Sequence, residues 1–433
     1  CQMNEYDSNR IYDIVKKLNY KKTEKVEEAD LYVLNTCHIR EKATDKVYHD
    51  IGRVKKNFRN KKKPIVVITG CVAQAEGEIL LDKEKYIDAI IGPQSYHQFN
   101  ETLLRFENKP EKIISTEFDV VDKFDKLNSI SNSNNKTSSF LTIQEGCDKF
   151  CKFCVVPYTR GSEFSRSEKE LFNESVELVN NGAREIILLG QNVNAYKYNG
   201  KRLSDLICKI SQIKDLERIR YTTSHPVDFT KDLIEAHGVI NKLMPYVHLP
   251  IQSGSNKILK NMNRNHTTEF YLELINKLKS TNPKIKFSSD FIIGYPGEMD
   301  IDFEKTINII KKIQYINTYS FLFSPRPGTP AAKLEKIEIN EAKKRLSIFK
   351  KTAEEIKSNY RKSLLNKSSI VLFENKTKNK NEFFGKDEFS NPVIVRCKEN
   401  LEGKIKKVRI THENSSTLFG SIDSANEKKD FAA

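Results

Sequence analysis

The chain has 433 residues, a formal net charge of +15 and a pI near 9.2. This basic balance indicates an anionic partner, for which nucleic acid is the strongest candidate, and the length predicts roughly two to four domains. No run approaches the roughly eighteen apolar residues of a membrane span and no signal peptide opens the chain, so we expect a cytoplasmic protein without a membrane partner. Eight cysteines in that compartment favour metal or redox chemistry over disulfides.

The N-terminal part alternates between strand and helix patterns, which predicts a parallel α/β sheet. Apolar strand candidates at 31–35 and 65–69 are followed by Cys37 and Cys71, and Cys1 opens a comparable run. Because the carboxyl ends of parallel strands share one edge, we expect these three cysteines to converge in a site with three thiolates. Taken singly, each could equally be a small buried hydrophobe. The chain begins with Cys rather than Met, so we expect a short segment before it.

A stretch rich in Ser and Asn, 128–139, cannot bury a core and predicts a flexible linker. Beyond it, six apolar runs separated by helical or loop sequence predict an incomplete β/α barrel. These predicted strands are 140–143, 185–189, 218–221, 246–249, 287–293 and 318–323. A Gly-rich, Pro-rich or polar segment follows each run, so we expect the functional site at this rim, where the carboxyl ends of the strands lie.

The most specific motif follows the first barrel strand, where Cys147, Cys151 and Cys154 have the CxxxCxxC spacing of radical S-adenosylmethionine (SAM) enzymes. A [4Fe-4S] cubane usually takes four cysteine thiolates, so three ligands leave one iron open to a small molecule. Zinc or coincidence is the alternative, although a structural zinc site needs four ligands, usually as two close pairs.

The C-terminal part predicts a Lys-rich helical connector from residue 339 to about 363, followed by a small antiparallel β-barrel. Residues 341–412 carry 19 Lys and Arg against 9 Asp and Glu. Phe383, Phe384 and Phe389 among these cations favour an RNA-binding face, because flat aromatic rings stack on bases while cations hold phosphates. A solvated basic surface is the alternative.

Several runs together resemble the methylthiotransferase family of radical SAM enzymes over nearly the whole chain. The runs are CQMNEYDS, LNTCHIREKA, TGCVAQAEGE, GCDKFCKFCVVPYTRG, LLGQNVNAY, HLPIQSGSNKILKNMNR and FIIGYPGE. The resemblance implies an N-terminal methylthiotransferase domain (1–110), a linker (111–139), a partial (β/α)6 radical SAM core with its helical connector (140–366) and a TRAM RNA-binding barrel (367–425). Departures from the family pattern are the start before Cys1 and the Ser/Asn-rich linker.

The resemblance also implies the chemistry: methylthiolation at carbon 2 of N(6)-dimethylallyladenosine next to the anticodon of tRNA. SAM would be the radical source and the methyl donor. One [4Fe-4S] cluster, on the catalytic Cys147, Cys151 and Cys154, would cleave SAM; an auxiliary [4Fe-4S] cluster, on Cys1, Cys37 and Cys71, would take part in sulfur transfer. The implied partners are tRNA and an electron donor such as a flavodoxin or ferredoxin, and the implied state is a monomer.

The residues that the resemblance implies as contacts of SAM or substrate are Phe153, Gly190, Gln191, Asn192, Gln252, Ser253 and Arg264. Two histidines, His225 and His248, lie in the same region of the sequence, and each could be a polar barrel residue whose hydrogen bonds are satisfied within the protein.

Two alternatives stay open at this point. A sister enzyme would act on threonylcarbamoyl-adenosine in tRNA or on an aspartate of a ribosomal protein, although the HIREKA and VVPYTRG runs favour the dimethylallyl substrate. A threonylcarbamoyl carboxylate would require a cation, which Arg264 or Arg326 could supply. A non-catalytic iron-sulfur RNA-binding protein is the alternative of another class, and SAM cleavage to 5'-deoxyadenosine would separate it from an enzyme.

Overall fold

The computed structural model describes residues 2–38, 42–109, 111–117 and 136–423. The helices of these segments are Gln2–Lys16, Lys42–Asn57, Cys71–Lys83, Phe99–Asn108, Val156–Arg160, Glu168–Asn180, Leu203–Ser211, Lys231–Val239, Asn256–Asn261, Thr268–Thr281, Asp300–Ile313 and Ile339–Lys362. None of the described helices is both long enough and apolar enough to cross a membrane.

A parallel sheet of four strands, in chain order, forms the N-terminal layer. Its strands are β1 (Leu31–Thr36), β2 (Ile65–Gly70), β3 (Ala89–Ile91) and β4 (Ile113–Ser115). Val66 and Ile68 pack against helices on one face of β2, whereas Val67 packs against helices on the other. Burial on both faces explains why β2 is a continuous apolar run in the sequence.

Six parallel strands follow one another around a partial barrel, which confirms the predicted α/β fold class. The six barrel strands are β5 (Ser138–Thr142), β8 (Glu185–Leu189), β11 (Arg218–Tyr221), β12 (Tyr246–His248), β13 (Lys286–Ile293) and β14 (Asn317–Leu322). Four short strands lie in the connections between them: β6 (Gln144–Glu145), β7 (Phe164–Ser165), β9 (Lys197–Tyr198) and β10 (Lys201–Arg202). The ladders are β11-β8-β5 and β12-β13-β14, and a bridge between Ile219 and Leu243 connects the two groups.

The segment assigned to a linker contributes to both sheets. β4 pairs with β3, and residues 138–139 form the start of β5 beside β8. Hydroxyl-rich sequence can pair here because a strand needs only its backbone groups for the ladder. The central residues 118–135 lie outside the described segments.

A closed five-stranded barrel forms the C-terminal part, as predicted. Its strands are β15 (Ser368–Lys376), β16 (Glu382–Asp387), β17 (Pro392–Arg396), β18 (Ile405–Glu413) and β19 (Leu418–Ile422). The barrel is not purely antiparallel, because β17 and β19 pair in parallel. Phe383 is buried in its core, so the prediction that Phe383 stacks on RNA is wrong.

Two buried arginines join this barrel to the amino-terminal ends of the central strands. Arg218 donates to the carbonyl oxygens of Lys386 and Ile370 at 2.9 and 2.8 Å. Arg220 donates to the carbonyl oxygens of Glu388 and Asp387 and forms a 2.6 Å ion pair with Glu185. The turn after β16 therefore closes the base of the central barrel, at the end opposite the rim.

Candidate active site

A cavity of about 170 Å³ lies between the N-terminal sheet and the central barrel. Cys37 and Cys71, which follow β1 and β2, line one side. Gly190 and Thr222, which follow β8 and β11, line the other side together with the helix Val156–Arg160. The two parallel sheets thus present their carboxyl edges, where ligands bind in such sheets, to one shared space.

Two of the three N-terminal cysteines that we expected to converge, Cys37 and Cys71, lie in the described part of the chain. Cys37 and Cys71 line the same cavity, and both are partly exposed. Cys1 lies outside the described residues, but its neighbour Gln2 lines the cavity as well. The hydroxyl of Thr222 donates to Gln2 Oε1 at 3.2 Å, which ties the start of the chain to the barrel rim.

The loop with the other three cysteines is held by backbone hydrogen bonds. Cys154 N donates to the carbonyl oxygen of Cys151 at 2.9 Å, and Cys147 N donates to that of Gly161 at 3.1 Å. Gly146, just before the loop, has φ +76°, and a Cβ there would meet the carbonyl oxygen of Ser162 at 1.9 Å. Only glycine fits this close approach, so the residue before Cys147 is fixed by packing.

The thiols of this loop are buried beside one another. Burial raises the pKa of Cys147 to about 12, and burial followed by the charge of Cys151 raises the pKa of Cys154 to about 12. Such thiols are stable as thiolates only beside a cation. The donor set therefore fits an iron cluster, whose irons would supply that positive charge.

No three His, Cys, Asp or Glu side chains converge on a point where they could hold one metal ion, within the part of the chain that the structure describes. This arrangement is compatible with a cubane, because each thiolate of a four-iron cluster binds a different iron corner.

Gln144 and Gln191 connect the cysteine loop to the rim. Gln191 Oε1 accepts from Gly146 N at 2.7 Å, and Gln144 Oε1 accepts from the backbone N–H groups of Gln191 and Asn192. A Cβ on Gly190 would come within 2.7 Å of Gln144 Oε1. Gly190 and Gln191 line the shared cavity, whereas Asn192 does not.

Asn192 is buried and bonded to the protein. Its Nδ2 donates to Glu163 Oε1 and Asp228 Oδ2, both at 2.8 Å. Asp228 also pairs with Lys149 of the cysteine loop at 2.8 Å, and Glu163 exchanges bonds with Asp148. The Asn192 amide thus holds the outside of the loop in place.

Ser253 and Gln252 belong to the turn after β12. Ser253 is buried, and its hydroxyl accepts from Ser255 N at 3.2 Å and lies 3.4 Å from the hydroxyl of Thr306. Gln252 has φ +78°, a strained conformation for a residue with a side chain. Phe153 packs into an apolar cluster with Met262 and Tyr295.

Arg264 contacts the cysteine loop, and the two histidines predicted at the rim, His225 and His248, differ in how they are bonded. Arg264 Nη1 donates to Cys151 Sγ at 3.5 Å, and its Nη2 donates to the carbonyl oxygen of Pro250 at 2.6 Å. Burial, followed by the charge of Arg264, lowers the pKa of His225, whose Nε2 lacks a hydrogen-bond partner. His248 is satisfied, because its ring nitrogens meet Ser288 Oγ at 2.9 Å and Asp290 Oδ1 at 3.5 Å.

Arg160 is a site residue that the sequence analysis missed. It is buried and lines the cavity, and it pairs with Asp7 Oδ2 at 2.6 Å and with Glu145 Oε2 at 3.4 Å. Gln94 donates to Glu145 and to the carbonyl oxygen of Arg160. Since Asp7 and Gln94 belong to the N-terminal part, this buried network connects the two walls of the cavity. Arg160 lies in the VVPYTRG run, but the sequence alone gave it no functional role.

Two family models match the chain. The Uncharacterized protein family UPF0004 matches residues 1–92, and the Radical SAM superfamily matches residues 141–310. A radical S-adenosylmethionine methyltransferase from Kitasatospora setae, TsrM, solved with cobalamin and a [4Fe-4S] cluster, is similar in fold with a TM-score of 0.53 at 12% identity. That match covers 71% of this chain and 67% of TsrM. The fold and these matches define a radical SAM enzyme.

Two curated relatives are more specific. The tRNA-2-methylthio-N(6)-dimethylallyladenosine synthase of Pelagibacter ubique is 57% identical over 99% of this chain and 97% of the relative. The synthase of the same name from Rickettsia canadensis is 46% identical over 98% and 97%. The chain belongs to the family of tRNA-2-methylthio-N(6)-dimethylallyladenosine synthases, which are radical SAM methylthiotransferases. The superfamily implies SAM and one [4Fe-4S] cluster as cofactors.

Proposed function

We propose that this enzyme methylthiolates carbon 2 of N(6)-dimethylallyladenosine next to the anticodon of tRNA. The observation that carries the proposal is the shared cavity, with Cys37 and Cys71 on one wall and the barrel rim on the other. A reaction that makes a carbon radical and then adds sulfur to it needs both reagents within one enclosed space. Closeness of this kind lowers the barrier because the reacting groups are already positioned.

Cys147, Cys151 and Cys154 hold the cluster that meets SAM, and the chain supplies its surroundings. These cysteines would hold the cluster, which would supply the electron for cleavage of SAM to methionine and a 5'-deoxyadenosyl radical, and that radical would remove hydrogen from the substrate carbon. Arg264 places a fixed positive charge beside Cys151. Gln144 and Gln191 fix the loop to the rim, so that the cavity wall keeps its shape.

The residues proposed to contact SAM fall into two groups. Phe153, Gly190, Gln191 and Gln252 remain candidates for contact with SAM, through backbone or side chain. Asn192, Ser253 and Arg264 act instead as positioning residues. Asn192 Nδ2, the Ser253 hydroxyl and Arg264 Nη2 are bonded to protein groups, so these side chains hold the loop and the turn in place. Asn192 Oδ1 and Arg264 Nε have no hydrogen-bond partner among the described residues.

The auxiliary cluster is held by Cys1, Cys37 and Cys71 and takes part in sulfur transfer. Support comes from the position of Cys37 and Cys71 in the cavity and from that of Gln2 beside Cys1. Arg160, on the facing wall, is a buried cation that interacts electrostatically with Cys71, and its bonds to Asp7 and Glu145 hold it there. The three cysteines leave one iron of a cubane open for the sulfur that is transferred.

The C-terminal barrel presents a face that suits RNA. Phe384, Ile394, Phe419 and His412 are register neighbours across four strands and point away from the buried core. The rings of His412 and Phe419 lie 5.7 Å apart. Stacking surfaces flanked by cations such as Arg409 bind single-stranded nucleic acid. Phe389 lies instead in the turn that closes the base of the central barrel.

The remaining proposals concern context. We infer four parts of the chain: the N-terminal domain (1–110), a connecting segment (111–139) whose two ends pair with the sheets on either side, the radical SAM core with connector (140–366) and the RNA-binding barrel (367–425). The enzyme works as a cytoplasmic monomer that receives electrons from a flavodoxin or ferredoxin. The basic charge of +15 supports tRNA as the partner.

The test compares three tRNAs that differ only at the adenosine next to the anticodon: prenylated, unmodified and threonylcarbamoylated. Mass spectrometry of nucleosides should show the methylthio group on the prenylated tRNA, and at least about ten-fold slower reaction without the prenyl group, as expected when an apolar pocket loses its ligand. Arg264, one cation that could have paired with a threonylcarbamoyl carboxylate, is buried and already bonded to Pro250.

Equal turnover of the prenylated and unmodified tRNAs, or turnover only of the threonylcarbamoylated tRNA or of a ribosomal protein, would assign the chain to a sister activity. Absence of 5'-deoxyadenosine with every substrate would indicate a non-catalytic protein.

A further inference from the structure

Phe150, between the first two cysteines of the loop, is exposed to solvent. Its side chain is 52% exposed, the largest fraction for any Phe or Tyr among the described residues. Exposure of a large aromatic ring gives up the burial that normally stabilises it. A ring kept in solvent beside a reaction site therefore indicates a contact with a partner.

The backbone of Phe150 is also strained. Its φ is +48°, in the left-handed region that residues with a side chain rarely adopt. Asn263 holds this conformation, because its Nδ2 donates to the carbonyl oxygens of Lys149 and Phe150 at 3.2 and 3.0 Å. Strain of this kind persists where the surrounding structure enforces it, and it concentrates at functional sites.

A second exposed ring lies next to Phe150. Tyr158 is 46% exposed, and its ring centroid lies 6.4 Å from that of Phe150 in an edge-to-face arrangement at 79°. Tyr158 belongs to the helix Val156–Arg160, whose residues Val156 and Thr159 line the shared cavity. The aromatic pair therefore stands directly outside the wall of the cavity, within reach of whatever flanks a nucleotide inside it.

The surroundings suit a nucleic acid. Lys152 is exposed two residues after Phe150, and Lys149 stands one residue before it in an ion pair with Asp228; Asp148 is the exposed carboxylate of the loop. Bringing a base of the anticodon loop into a protein cavity unstacks it from its neighbours. A neighbouring base then needs a new stacking partner, and aromatic side chains supply one.

We propose that Phe150 and Tyr158 form a stacking site for an unpaired base of the tRNA loop, next to the adenosine that enters the cavity. The inference rests on the proposed function, since it takes tRNA as the substrate. It adds a recognition element on the cysteine loop itself, separate from the C-terminal barrel.

The experiment measures the Kd of prenylated tRNA for the reconstituted full-length enzyme and four variants. Phe150→Ala and Tyr158→Ala should each raise Kd by about five-fold or more, the range for loss of one base–aromatic stack. Phe150→Tyr, which keeps a ring, should restore most of the affinity. Phe270→Ala is the matched control, because Phe270 is 42% exposed on the helix Thr268–Thr281 and should leave Kd unchanged.

Unchanged Kd for both alanine variants overturns the stacking site. A second result would also overturn it: Kd is unchanged, and turnover falls with a protein reductant but not with dithionite. That result would assign the aromatic pair to docking of the electron donor. Iron content is measured for each variant, and if Phe150→Ala loses iron, Tyr158→Ala decides, because Tyr158 lies outside the cysteine loop. A wild-type enzyme that neither binds nor modifies prenylated tRNA refutes the proposed function itself.

Discussion

Replacement of Cys71 by Ala is expected to abolish methylthiolated tRNA while 5'-deoxyadenosine still forms, whereas replacement of Cys151 by Ala is expected to abolish both products. The reason is spatial: Cys71 lines the N-terminal wall of the cavity, and Cys151 lies in the loop on the barrel. The two losses should thus affect the proposed auxiliary cluster and the barrel cluster separately, and only the barrel cluster is expected to cleave SAM. Liquid chromatography with mass spectrometry quantifies both products from one anaerobic reaction.

Cys208→Ala is the control for this pair of variants. Cys208 is exposed on the helix Leu203–Ser211, and its loss should leave both products at wild-type levels. A Cys71→Ala enzyme that makes a normal amount of methylthiolated tRNA would refute the role of this cysteine in sulfur transfer. Loss of 5'-deoxyadenosine in the same variant would mean that the two cavity walls depend on each other for folding.

Ending the chain at Lys367 is expected to weaken tRNA binding and also to destabilise the central barrel. Arg218 and Arg220 would lose four carbonyl acceptors, and Arg220 would keep only Glu185. Hydrogen bonds to charged groups contribute about 1.5–3 kcal/mol each to stability, so their loss should destabilise the central barrel. Denaturant unfolding of the truncated and complete chains measures that loss, and equal stability would contradict a closing role for the turn after β16.

Surface variants separate RNA binding from this structural effect. Lys407 and Arg409 are exposed on β18, and neither is a hydrogen-bond partner of Arg218 or Arg220. Lys407→Ala with Arg409→Ala should therefore weaken tRNA binding, while the lost surface ion pair of Lys407 changes stability by at most about 1 kcal/mol. Each lost phosphate contact should lower the magnitude of the log–log salt slope by about 0.7 on single-stranded RNA. Lys231→Ala, on an exposed helix of the central barrel, serves as the control. An unchanged slope in the double variant would place the RNA site elsewhere.

The sequence pattern was sufficient for the long strands and for the placement of Cys37 and Cys71 at one cavity, because those signals are local. Buried strands such as β2 and β8 are continuous apolar runs. β3 and β4 have only three residues each, too few for a run to stand out from its surroundings. Cys37 and Cys71 were expected to meet because the carboxyl ends of parallel strands share one edge.

What the sequence could not supply was the side-chain direction and the contact between domains. Phe383 and Phe384 are adjacent on β16, so their side chains point to opposite faces of the strand. Only the structure shows that Phe383 is the one that faces the core of the barrel. The Asn192 amide and the Ser253 hydroxyl are bonded to protein groups that are distant in sequence. Arg160 received no role because its partner Asp7 is 153 residues away.

The iron content of the anaerobically reconstituted enzyme tests most directly the central claim, a second cluster on the N-terminal wall of the cavity in addition to the cluster on the barrel loop. The complete chain should bind about eight irons, as two four-iron cubanes require. A variant with Ala at Cys147, Cys151 and Cys154, and another with Ala at Cys1, Cys37 and Cys71, should each bind about four. An N-terminal triple variant that keeps all its iron would contradict the account, because the second wall would then hold no cluster.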